Sequence, residues 1–595
     1  MDKSEALRAL QKAVEEQQLT SSALQNIQLW LTSPQYAAYT DEIIQLVHDK
    51  KWKELDDAFW TVIPFGTGGR RGKMFPVGTN MINDVTIGES AQGLASYTLE
   101  YLRQSGHRPS CAIAYDTRHR SRHFAELCAG IMVANGFKVW FLDGYRSTPE
   151  MSFMVRYKKC DCGIMVTASH NPPSDNAVKV YWNTGGQALS PHDTGIIEKV
   201  MSMENVKKVP FQEALAAGDV EYCQDEVDKA FFDAVLKIML PGSRDLNVLY
   251  SPLHGVGASC VLPVLRQAGF EAVEVFGPHA EPSGDFPNVP GHVSNPENPA
   301  VFDSMIQYAE EKGNVDIILA TDPDADRLGV AAPLSTQKGS SWKTLTGNQI
   351  AVLMTEYLLK TRKEQGKLSQ EDYVVETLVT TPLVRKIAQA YGVRAIFDLL
   401  VGFKYIGGTI EENGPDHFLL GAEESYGFLI GSHARDKDAA AAALIFCQLA
   451  AAAKEEGKTV HEKLDEIYAK YGKHTEKAFS VVMTGSEGMT KMSKLLERFQ
   501  KNPPANLGGM KIIRVRDYEH GTQTDLLTGK KSALQGPRGK LVIWDLSESG
   551  DFVAARPSGT EPKIKFYLFA SCPPGAEEDL DARLVCLEND LRQLI

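Results

Sequence analysis

Residues 163–172 read GIMVTASHNP, a short apolar run followed at once by a polar loop that contains Ser169. A serine that caps a helix is normally followed by helix-forming residues, often with Glu or Gln three positions on. Here Asn171 and two prolines follow instead, and the residue before a proline is biased away from the α conformation. The pattern predicts a strand that ends in a rigid loop, and it makes Ser169 a candidate nucleophile rather than a helix cap.

The composition predicts a large globular protein and limits its partners. With 595 residues, the chain is long enough for about three to five domains. The net charge of −13 argues against nucleic acid or an anionic membrane as the main partner, because both favour basic surfaces. Local basic pockets remain possible at Arg70-Arg71 and at Arg118-His119-Arg120. We therefore expect neither nucleic acid nor a membrane as a partner.

The N-terminus and the cysteines favour the cytoplasm. The first residues are amphipathic and lack the apolar core of a signal peptide, and the sequence contains no apolar run of about 18 residues that could span a membrane. The nine cysteines are scattered, which is typical of reduced thiols. Cys160 and Cys162 have no second pair at zinc-ligand spacing, so we expect them to be packing residues.

The chain alternates between strand and helix patterns after a helical start. Residues 1–60 carry apolar residues at helical spacing, and from about residue 61 strand-like runs alternate with helical stretches. Such alternation predicts parallel or mixed sheets with helices on both faces. The region from about residue 479 has a different mix of strands and ends in a helix. Segments 281–299 and 502–509 are rich in Gly and Pro, and segment 335–347 is rich in Ser and Gly; all three are expected to be boundaries or long loops.

Three apolar strands end in polar loops. GIMV leads into TASHN, DIILA into TDPDADR, and HFLL into GAEESYG. Ligands of α/β sheets bind at the carboxyl ends of strands. Three repeated α/β units could therefore direct one loop each into a shared cleft.

The second of these loops is a candidate metal site. Asp322, Asp324 and Asp326 would repel one another unless a cation neutralised them, and Mg²⁺ is the usual cation where a phosphate completes the oxygen shell. An EF-hand is excluded, because its sixth and twelfth positions would be Arg327 and Pro333. Arg327 could stabilise the acids or reach a substrate phosphate.

Two further loops offer groups for a sugar phosphate. Glu423, Glu424 and Ser425 present carboxylates and a hydroxyl that suit the vicinal hydroxyls of a sugar. The segment RPSGTEP at 556–562 combines Arg556, two hydroxyls and free backbone N–H groups around a glycine, which suits an anion. A nucleophile, a divalent metal, a hydroxyl reader and a phosphate cradle together predict phosphoryl transfer to or from a phosphorylated sugar.

At this point the sequence resembles the α-D-phosphohexomutases, and within them the phosphoglucomutase/phosphomannomutase branch. The matching segments are FGTGGRRG at 65–72, TASHNP at 167–172, DPDADR at 322–327, GFK at 402–404, EES at 423–425 and RPSGTEP at 556–562. Arg70 and the segment PPSDNAVKVYW after the serine depart from the family pattern.

The resemblance implies four domains around one cleft. Three related α/β domains with mixed sheets would be followed by a C-terminal α+β domain of the helix-grip-like class. The expected boundaries are a helical extension at 1–60, α/β domains at 61–243, 244–345 and 346–475 that carry the serine, metal and sugar loops, and a phosphate-binding domain at 476–595.

The resemblance also implies a role for each candidate residue. Ser169 would carry a phosphoryl group and complete the shell of one Mg²⁺. The other roles are metal ligands at Asp322, Asp324 and Asp326; sugar contacts at Glu423 and Ser425; cleft residues at Arg71, His170, Arg327 and Lys404; and a phosphate cradle at Arg556, Ser558, Gly559 and Thr560. Lys404 is the preferred general acid/base, with a plain phosphate contact as the alternative.

The implied reaction is a two-step exchange between hexose 1-phosphate and hexose 6-phosphate. Phosphoserine would donate to a hexose monophosphate, and the resulting bisphosphate, glucose 1,6-bisphosphate for a glucose enzyme, would reorient and return its other phosphate. α-D-Glucose is the expected sugar, with mannose left open, in a monomer or weak homodimer. The alternatives are a phosphatase, a phosphopentomutase, a sugar-bisphosphate synthase and a non-enzymatic sugar-phosphate sensor.

Overall fold

The computed structural model describes the chain except for residues 67, 105, 204, 484, 549 and 558–562, and it gives the backbone only for 485–490. In the described chain a helical extension precedes three mixed α/β sheets, one seven-stranded antiparallel sheet and one two-stranded antiparallel sheet. The predicted fold class is therefore confirmed. The predicted domain boundaries stay predictions.

The N-terminal extension has its own small core. Leu10, Trp30 and Phe59 pack together and against Val77 and Met81, which follow the first strand of the chain. The extension is thus anchored on the first α/β unit. Its helices are α1 (Lys3–Glu15), α2 (Ser21–Thr32), α3 (Thr40–His48) and α4 (Trp52–Phe59).

The first sheet carries the serine loop. Its strand order is β1-β5-β4-β2-β3-β6. Strands β4, β2, β3 and β6 are parallel to one another, β5 is antiparallel to β4, and β1 is antiparallel to β5. Every residue of β4 is buried, as expected for a strand covered by helices on both faces. The elements are β1 (Gly69–Lys73), α5 (Asp84–Tyr101), β2 (Ser110–Tyr115), α6 (Ser121–Ala134), β3 (Lys138–Phe141), α7 (Thr148–Tyr157), β4 (Cys162–Val166), β5 (Asp175–Trp182), α8 (His192–Met201), α9 (Phe211–Ala216), β6 (Val220–Tyr222) and α10 (Gln224–Leu236).

The second sheet has the order β11-β10-β9-β7-β8. Strands β9, β7 and β8 are parallel to one another, β10 is antiparallel to β9, and β11 is antiparallel to β10. The metal loop follows β9. The elements are β7 (Val248–Ser251), α11 (Val261–Gln267), β8 (Val273–Val275), α12 (Asp303–Lys312), β9 (Ile317–Thr321), β10 (Leu328–Pro333) and β11 (Trp342–Leu345).

The third sheet has the order β13-β12-β14-β15, with only β15 antiparallel. The sugar loop follows β14. The elements are α13 (Gly347–Glu364), β12 (Tyr373–Thr377), α14 (Leu383–Ala390), β13 (Arg394–Leu399), α15 (Phe403–Asn413), β14 (Phe418–Glu423), β15 (Gly427–Ile430), α16 (Ala439–Glu455) and α17 (Val460–Tyr471).

The C-terminal sheet is antiparallel, in the order β16-β24-β23-β22-β19-β20-β21. Leu495 of α18 and Leu587 of α19 pack on its apolar face with Trp544 and Phe566. The elements are β16 (His474–Val482), α18 (Gly485–Lys501), β17 (Asn506–Leu507), β18 (Met510–Lys511), β19 (Arg514–Asp517), β20 (Thr522–Asp525), β21 (Lys531–Ala533), β22 (Val542–Asp545), β23 (Phe552–Pro557), β24 (Lys563–Ser571) and α19 (Leu580–Leu594).

Helix α16 joins the second and third units. It is the alanine-rich segment of the sequence, it is buried along almost its whole length, and it packs against α11 and α13. Small side chains let the neighbouring helices approach closely. Within the described residues, no helix combines the length and the apolar character needed to cross a membrane.

One expectation about the loops is wrong. Residues 335–347 are not simply a boundary, because β11 lies within them and pairs with β10. Gly339 adopts a left-handed backbone at φ +80° and turns the chain into this hairpin. The segment 281–299 is a long connection between β8 and α12, as expected, with only short 3₁₀ turns in it.

Candidate active site

Ser169 lies in the turn between β4 and β5, with a left-handed backbone at φ +52° and 4% of its surface exposed. Its backbone N–H donates to Thr167 Oγ1 at 2.8 Å. The Ser169 hydroxyl donates to Asp322 Oδ2 at 2.8 Å, across the interface between the first two sheets, and lies 3.2 Å from His170 Nδ1. The nucleophile candidate and the metal candidate therefore belong to one site.

The three aspartates form a compact buried cluster. One carboxylate oxygen of each lies within 4.8 Å of those of the other two. The second oxygen of Asp322 accepts the backbone N–H groups of Asp326 and Arg327, both at 3.1 Å. Asp324 Oδ1 and Asp326 Oδ1 are buried and accept no hydrogen bond from any described residue. Buried anionic oxygens with open lone pairs fit a hard divalent cation such as Mg²⁺.

Two lysines that the sequence reasoning did not select hold this cluster. Lys179 Nζ lies 2.8 Å from Asp324 Oδ2, and Lys437 Nζ lies 3.0 Å from Asp326 Oδ2. Lys179 lies in β5, the strand after the serine loop, where it interrupts the apolar run of NAVKVYW. This single charged residue in an apolar strand could have identified it from the sequence. Lys437 had no comparable signal, because it reaches the cluster only through the packing of separate sheets.

The charges around the cluster shift its pKa values in opposite directions. Burial and the two neighbouring carboxylates raise the pKa of Asp322. Asp324 is also buried, but the ammonium of Lys179 lowers its pKa below the ordinary value. Burial, with the charges of Arg327 and Arg71, holds the pKa of His170 well below its usual value, so its imidazole is neutral at physiological pH.

The sugar loop reaches the metal loop through the backbone. Arg327 and Gly427 form an isolated antiparallel bridge, and the N–H of Leu328 donates to the carbonyl of Tyr426 at 3.1 Å. Arg327 itself forms an ion pair with Glu297. The loops after β9 and β14 are thus brought together, as the alternation of strands and loops predicted.

Glu423 ends β14 and is 4% exposed. It accepts the N–H of Gly402 at 2.8 Å, and burial raises its pKa to about 7. Ser425 is half-buried in the turn between β14 and β15. Both groups are therefore placed beside the metal loop, at the end of the third sheet.

Lys404 lies in the first turn of α15, and its Nζ is 3.6 Å from Asp193 Oδ2 at the start of α8. Burial lowers the pKa of Lys404, and the Asp193 carboxylate partly offsets this effect. The ion pair links the first and third units. A partner for Lys404 was not anticipated from the sequence.

The two arginines of the segment FGTGGRRG have different environments. Arg71 lies on β1, close enough to His170 to affect its pKa. Arg70 is 1% exposed and donates to Glu89 at 2.5 Å and to the carbonyl of Thr86 at 3.0 Å. The expectation of a basic pocket at both positions is therefore wrong for Arg70, because consecutive residues of a strand face opposite sides of the sheet.

Arg556 lies near the end of β23, and its charge affects the pKa values of Tyr405 and Glu424. This places the C-terminal sheet next to the sugar loop. The predicted cradle residues Ser558, Gly559 and Thr560 lie outside the described residues.

Comparison with known proteins agrees with this geometry. Family models for the alpha/beta/alpha domains I, II and III of phosphoglucomutase/phosphomannomutase match residues 63–207, 229–334 and 346–471. The chain is 34% identical over 526 residues to a phosphoglucomutase of Staphylococcus epidermidis, which covers 87% of this chain and 93% of the relative. It is 33% identical over 536 residues to that of Staphylococcus haemolyticus, covering 89% and 94%.

Solved structures share the fold. A phosphoglucomutase/phosphomannomutase family protein from Burkholderia thailandensis superimposes with a TM-score of 0.63 at 15% identity, covering 90% of this chain and 97% of the other. Paramecium pp63/parafusin, a phosphoglucomutase in its open form, gives a TM-score of 0.61 at 19% identity, covering 89% and 93%.

The fold and the relatives define a sugar-phosphate mutase, an enzyme of the isomerase class. The chain belongs to the phosphoglucomutase/phosphomannomutase family. The predicted family and enzyme class are confirmed.

Proposed function

We propose that this protein interconverts hexose 1-phosphate and hexose 6-phosphate through phosphorylated Ser169 and a hexose 1,6-bisphosphate, with α-D-glucose as its sugar. The observation that carries the proposal is the 2.8 Å hydrogen bond between Ser169 Oγ and Asp322, at the edge of three clustered carboxylates. Phosphoryl transfer at such a site relies on positioning and on electrostatic stabilisation. The names of the relatives support glucose as the sugar.

The proposed exchange consists of two successive phosphoryl transfers. In the first, the phosphorus–oxygen bond to Ser169 breaks, a bond to the free sugar hydroxyl forms, and the hydroxyl proton passes to a base. In the second, the other phosphate of the reoriented bisphosphate bonds to Ser169 Oγ, and the proton returns to the sugar oxygen that leaves. Reactant and product are isomers, so no co-substrate is consumed.

Asp322, Asp324 and Asp326 would hold Mg²⁺, and phosphorylated Ser169 would complete its shell. When bound, this ion neutralises the charge that develops on the transferring phosphoryl group. Lys179 and Lys437 hold two of the aspartates in place. Neutral His170 lies beside the reacting oxygen without adding charge.

Lys404 is the proposed proton carrier. A base must be able to exchange its proton near the working pH, and burial moves the pKa of this amine in that direction. Asp193 holds the ammonium form in the absence of substrate. Lys404 also remains suited to a direct phosphate contact.

The remaining polar residues would bind the substrate. Glu423 and Ser425 would accept and donate hydrogen bonds with sugar hydroxyls, while Arg71 and Arg327 would meet the reacting phosphate. Arg556 with Ser558, Gly559 and Thr560 would hold the phosphate that does not react.

The proposal includes glucose 1,6-bisphosphate as intermediate and activator, because an enzyme that has lost its phosphoserine needs a bisphosphate to regain it. It also includes a cytoplasmic location, which the nine free cysteines support because reduced thiols persist there. Sugar phosphates are the expected partners, and the expected assembly is a monomer or weak homodimer.

Mass spectrometry of the intact protein and its peptides, before and after addition of glucose 1-phosphate, tests the proposal. A phosphoryl group on Ser169 that exchanges with substrate supports it, as does glucose 6-phosphate in a coupled assay that bisphosphate stimulates. Release of inorganic phosphate without isomerisation identifies a phosphatase and contradicts the proposal. The Ser169→Ala variant is the control for both measurements.

A further inference from the structure

Arg118 belongs to a basic segment that looked like an anion pocket in the sequence, but its guanidinium is already engaged. It donates to the carbonyls of Ser169 and Asn171, to that of Pro172 at 2.8 Å and to that of Asp175 at 3.2 Å. The side chain has no exposed surface. One buried side chain therefore binds three carbonyls of the serine loop and the carbonyl of the first residue of β5.

These contacts add to a small number of backbone hydrogen bonds. Residues 167–174 lie outside any helix or strand, and the N–H groups of Asn171 and Asp175 make turn hydrogen bonds to the carbonyls of Ala168 and Pro172. Arg118 supplies the further donors that buried carbonyls of this loop require. Ser169 also holds a left-handed conformation at φ +52°, which is strained for a residue other than glycine. A planar fork of N–H donors can fix several carbonyls at once. The Arg118 fork thus holds the backbone segment that carries the Ser169 side chain.

The guanidinium is itself supported by a fixed set of groups. Asp116 Oδ2 lies 3.4 Å from Arg118 Nε, and Asp116 Oδ1 accepts the Ser121 hydroxyl at 2.6 Å. The buried ring of Phe286, from the long connection of the second unit, lies 5.0 Å from the guanidinium carbon. Such a cation–π contact favours the charged group at this position.

Close contact with the second unit continues beside Phe286. A Cβ atom on Gly284 would lie 2.6 Å from the backbone N of His119, so only glycine lets the segment approach this closely. Thr117 Oγ1 also donates to the carbonyl of His254 at 3.0 Å. The second unit, which provides the metal loop, therefore also closes over the residue that holds the serine loop.

We propose that Arg118 is a positioning residue for the phosphoryl-transfer step. It acts through Ser169, by fixing the loop so that Oγ faces the three aspartates, and it makes this alignment depend on the packing of the first two units. It does not contact the sugar. The inference rests on the proposed function, because phosphoryl transfer is its readout.

Arg118→Lys and Arg118→Ala test this inference. Arg122→Gln is the matched control, since Arg122 lies four residues further on, in α6, and pairs with Glu126 and Asp143 at the surface. Arg118→Lys keeps the charge but loses the fork, and kcat should fall about 100-fold with KM changed less than about threefold, as for a displaced reacting atom. Phosphorylation of Ser169 by glucose 1,6-bisphosphate should slow by a similar factor. Arg122→Gln should behave as the wild type.

Chemical rescue separates positioning from general stability. Millimolar guanidinium should raise the kcat of Arg118→Ala at least about tenfold by occupying the space that the missing side chain leaves. Equal concentrations of sodium chloride should leave this kcat unchanged. Ser169→Ala should show no rescue. If Arg118→Ala fails to fold, Arg118→Lys and Asp116→Asn test the inference instead. Asp116→Asn should also lower kcat, but by a smaller factor than Arg118→Lys.

Wild-type kcat and phosphoserine kinetics in both Arg118 variants would overturn the inference. So would a raised KM at unchanged kcat, which would make Arg118 a substrate ligand. An inactive wild type, by contrast, would contradict the proposed function itself.

Discussion

The serine loop and the sugar loop follow the same structural pattern but are held differently. Each comes after a buried strand, β4 or β14, and leads into an antiparallel partner. The serine loop is held by a buried guanidinium, and its Ser169 is only 4% exposed. The sugar loop is held by backbone contacts to the metal loop, and residues 424–426 are only half-buried. Under the proposed function, the atom proposed to react is fixed, whereas the surface proposed to bind a sugar in two orientations is more open.

The largest expected effect is at the fixed loop. Ser169→Ala removes the oxygen proposed to carry the phosphoryl group, so mutase activity should fall ~10⁴-fold or more. The change is small, and the melting temperature should stay near that of the wild type. A coupled assay for glucose 6-phosphate measures the loss. A variant with more than a tenth of wild-type activity would show that the proposed nucleophile is wrong.

Metal removal should have the next largest effect. Chelation with EDTA should lower activity ~10³-fold, because the charge on the transferring group is then not neutralised. Added Mg²⁺ should restore it in the wild type, and Asp324→Asn should respond poorly. Activity that survives exhaustive chelation would contradict the metal site.

Lys179 and Lys437 provide a smaller test of the same region. Lys179→Met leaves Asp324 without its ammonium partner, and kcat should fall about 100-fold, with Lys437→Met affecting Asp326 in a similar way. Lys229→Met is a suitable control, because Lys229 pairs with Asp233 on the surface. An unchanged kcat in Lys179→Met would mean that the ion pair does not order the cluster.

The open loop should show a different kinetic signature. Glu423→Gln keeps the shape but weakens hydrogen bonds to sugar hydroxyls, so KM should rise about tenfold while kcat falls less. Steady-state kinetics with glucose and mannose 1-phosphates would show whether the loss depends on the sugar. An effect confined to kcat would place Glu423 with the fixed loop instead.

The smallest effect on activity is expected at Glu376, on the strand beside β14, where it pairs in register with Ala422. Burial raises the pKa of this carboxyl to about 8, with Arg385 opposing the shift. The folded state binds this proton more tightly than the unfolded state, so its contribution to stability is full below the unfolded pKa and is lost as pH rises to about 8. Glu376→Gln should remove that loss and raise the melting temperature at high pH, with no gain at low pH. If the melting temperatures of the two proteins changed with pH in the same way, the raised pKa would not belong to Glu376.

The sequence predicted those parts of the site that are local. Ser169 and the three aspartates follow apolar strands directly, so strand ends and residue chemistry together identified them. Lys437, and Asp193 beside Lys404, could not be predicted in this way, because their contacts join segments more than a hundred residues apart through sheet packing. Arg118 was noticed as a charge but misinterpreted, since its partners are carbonyls that no sequence pattern reveals. The strand β11 was missed because its flanking loop is rich in Ser and Gly.

Helix α16 also bears on the order in which the site is built during synthesis. The N–H of Ala439, at its first turn, donates to the carbonyl of Ala325 in the metal loop at 3.2 Å. During translation, Ala325 is synthesised more than a hundred residues before Ala439. The metal loop therefore emerges with one of its supports still untranslated, and the site matures only once α16 has left the exit tunnel and packed.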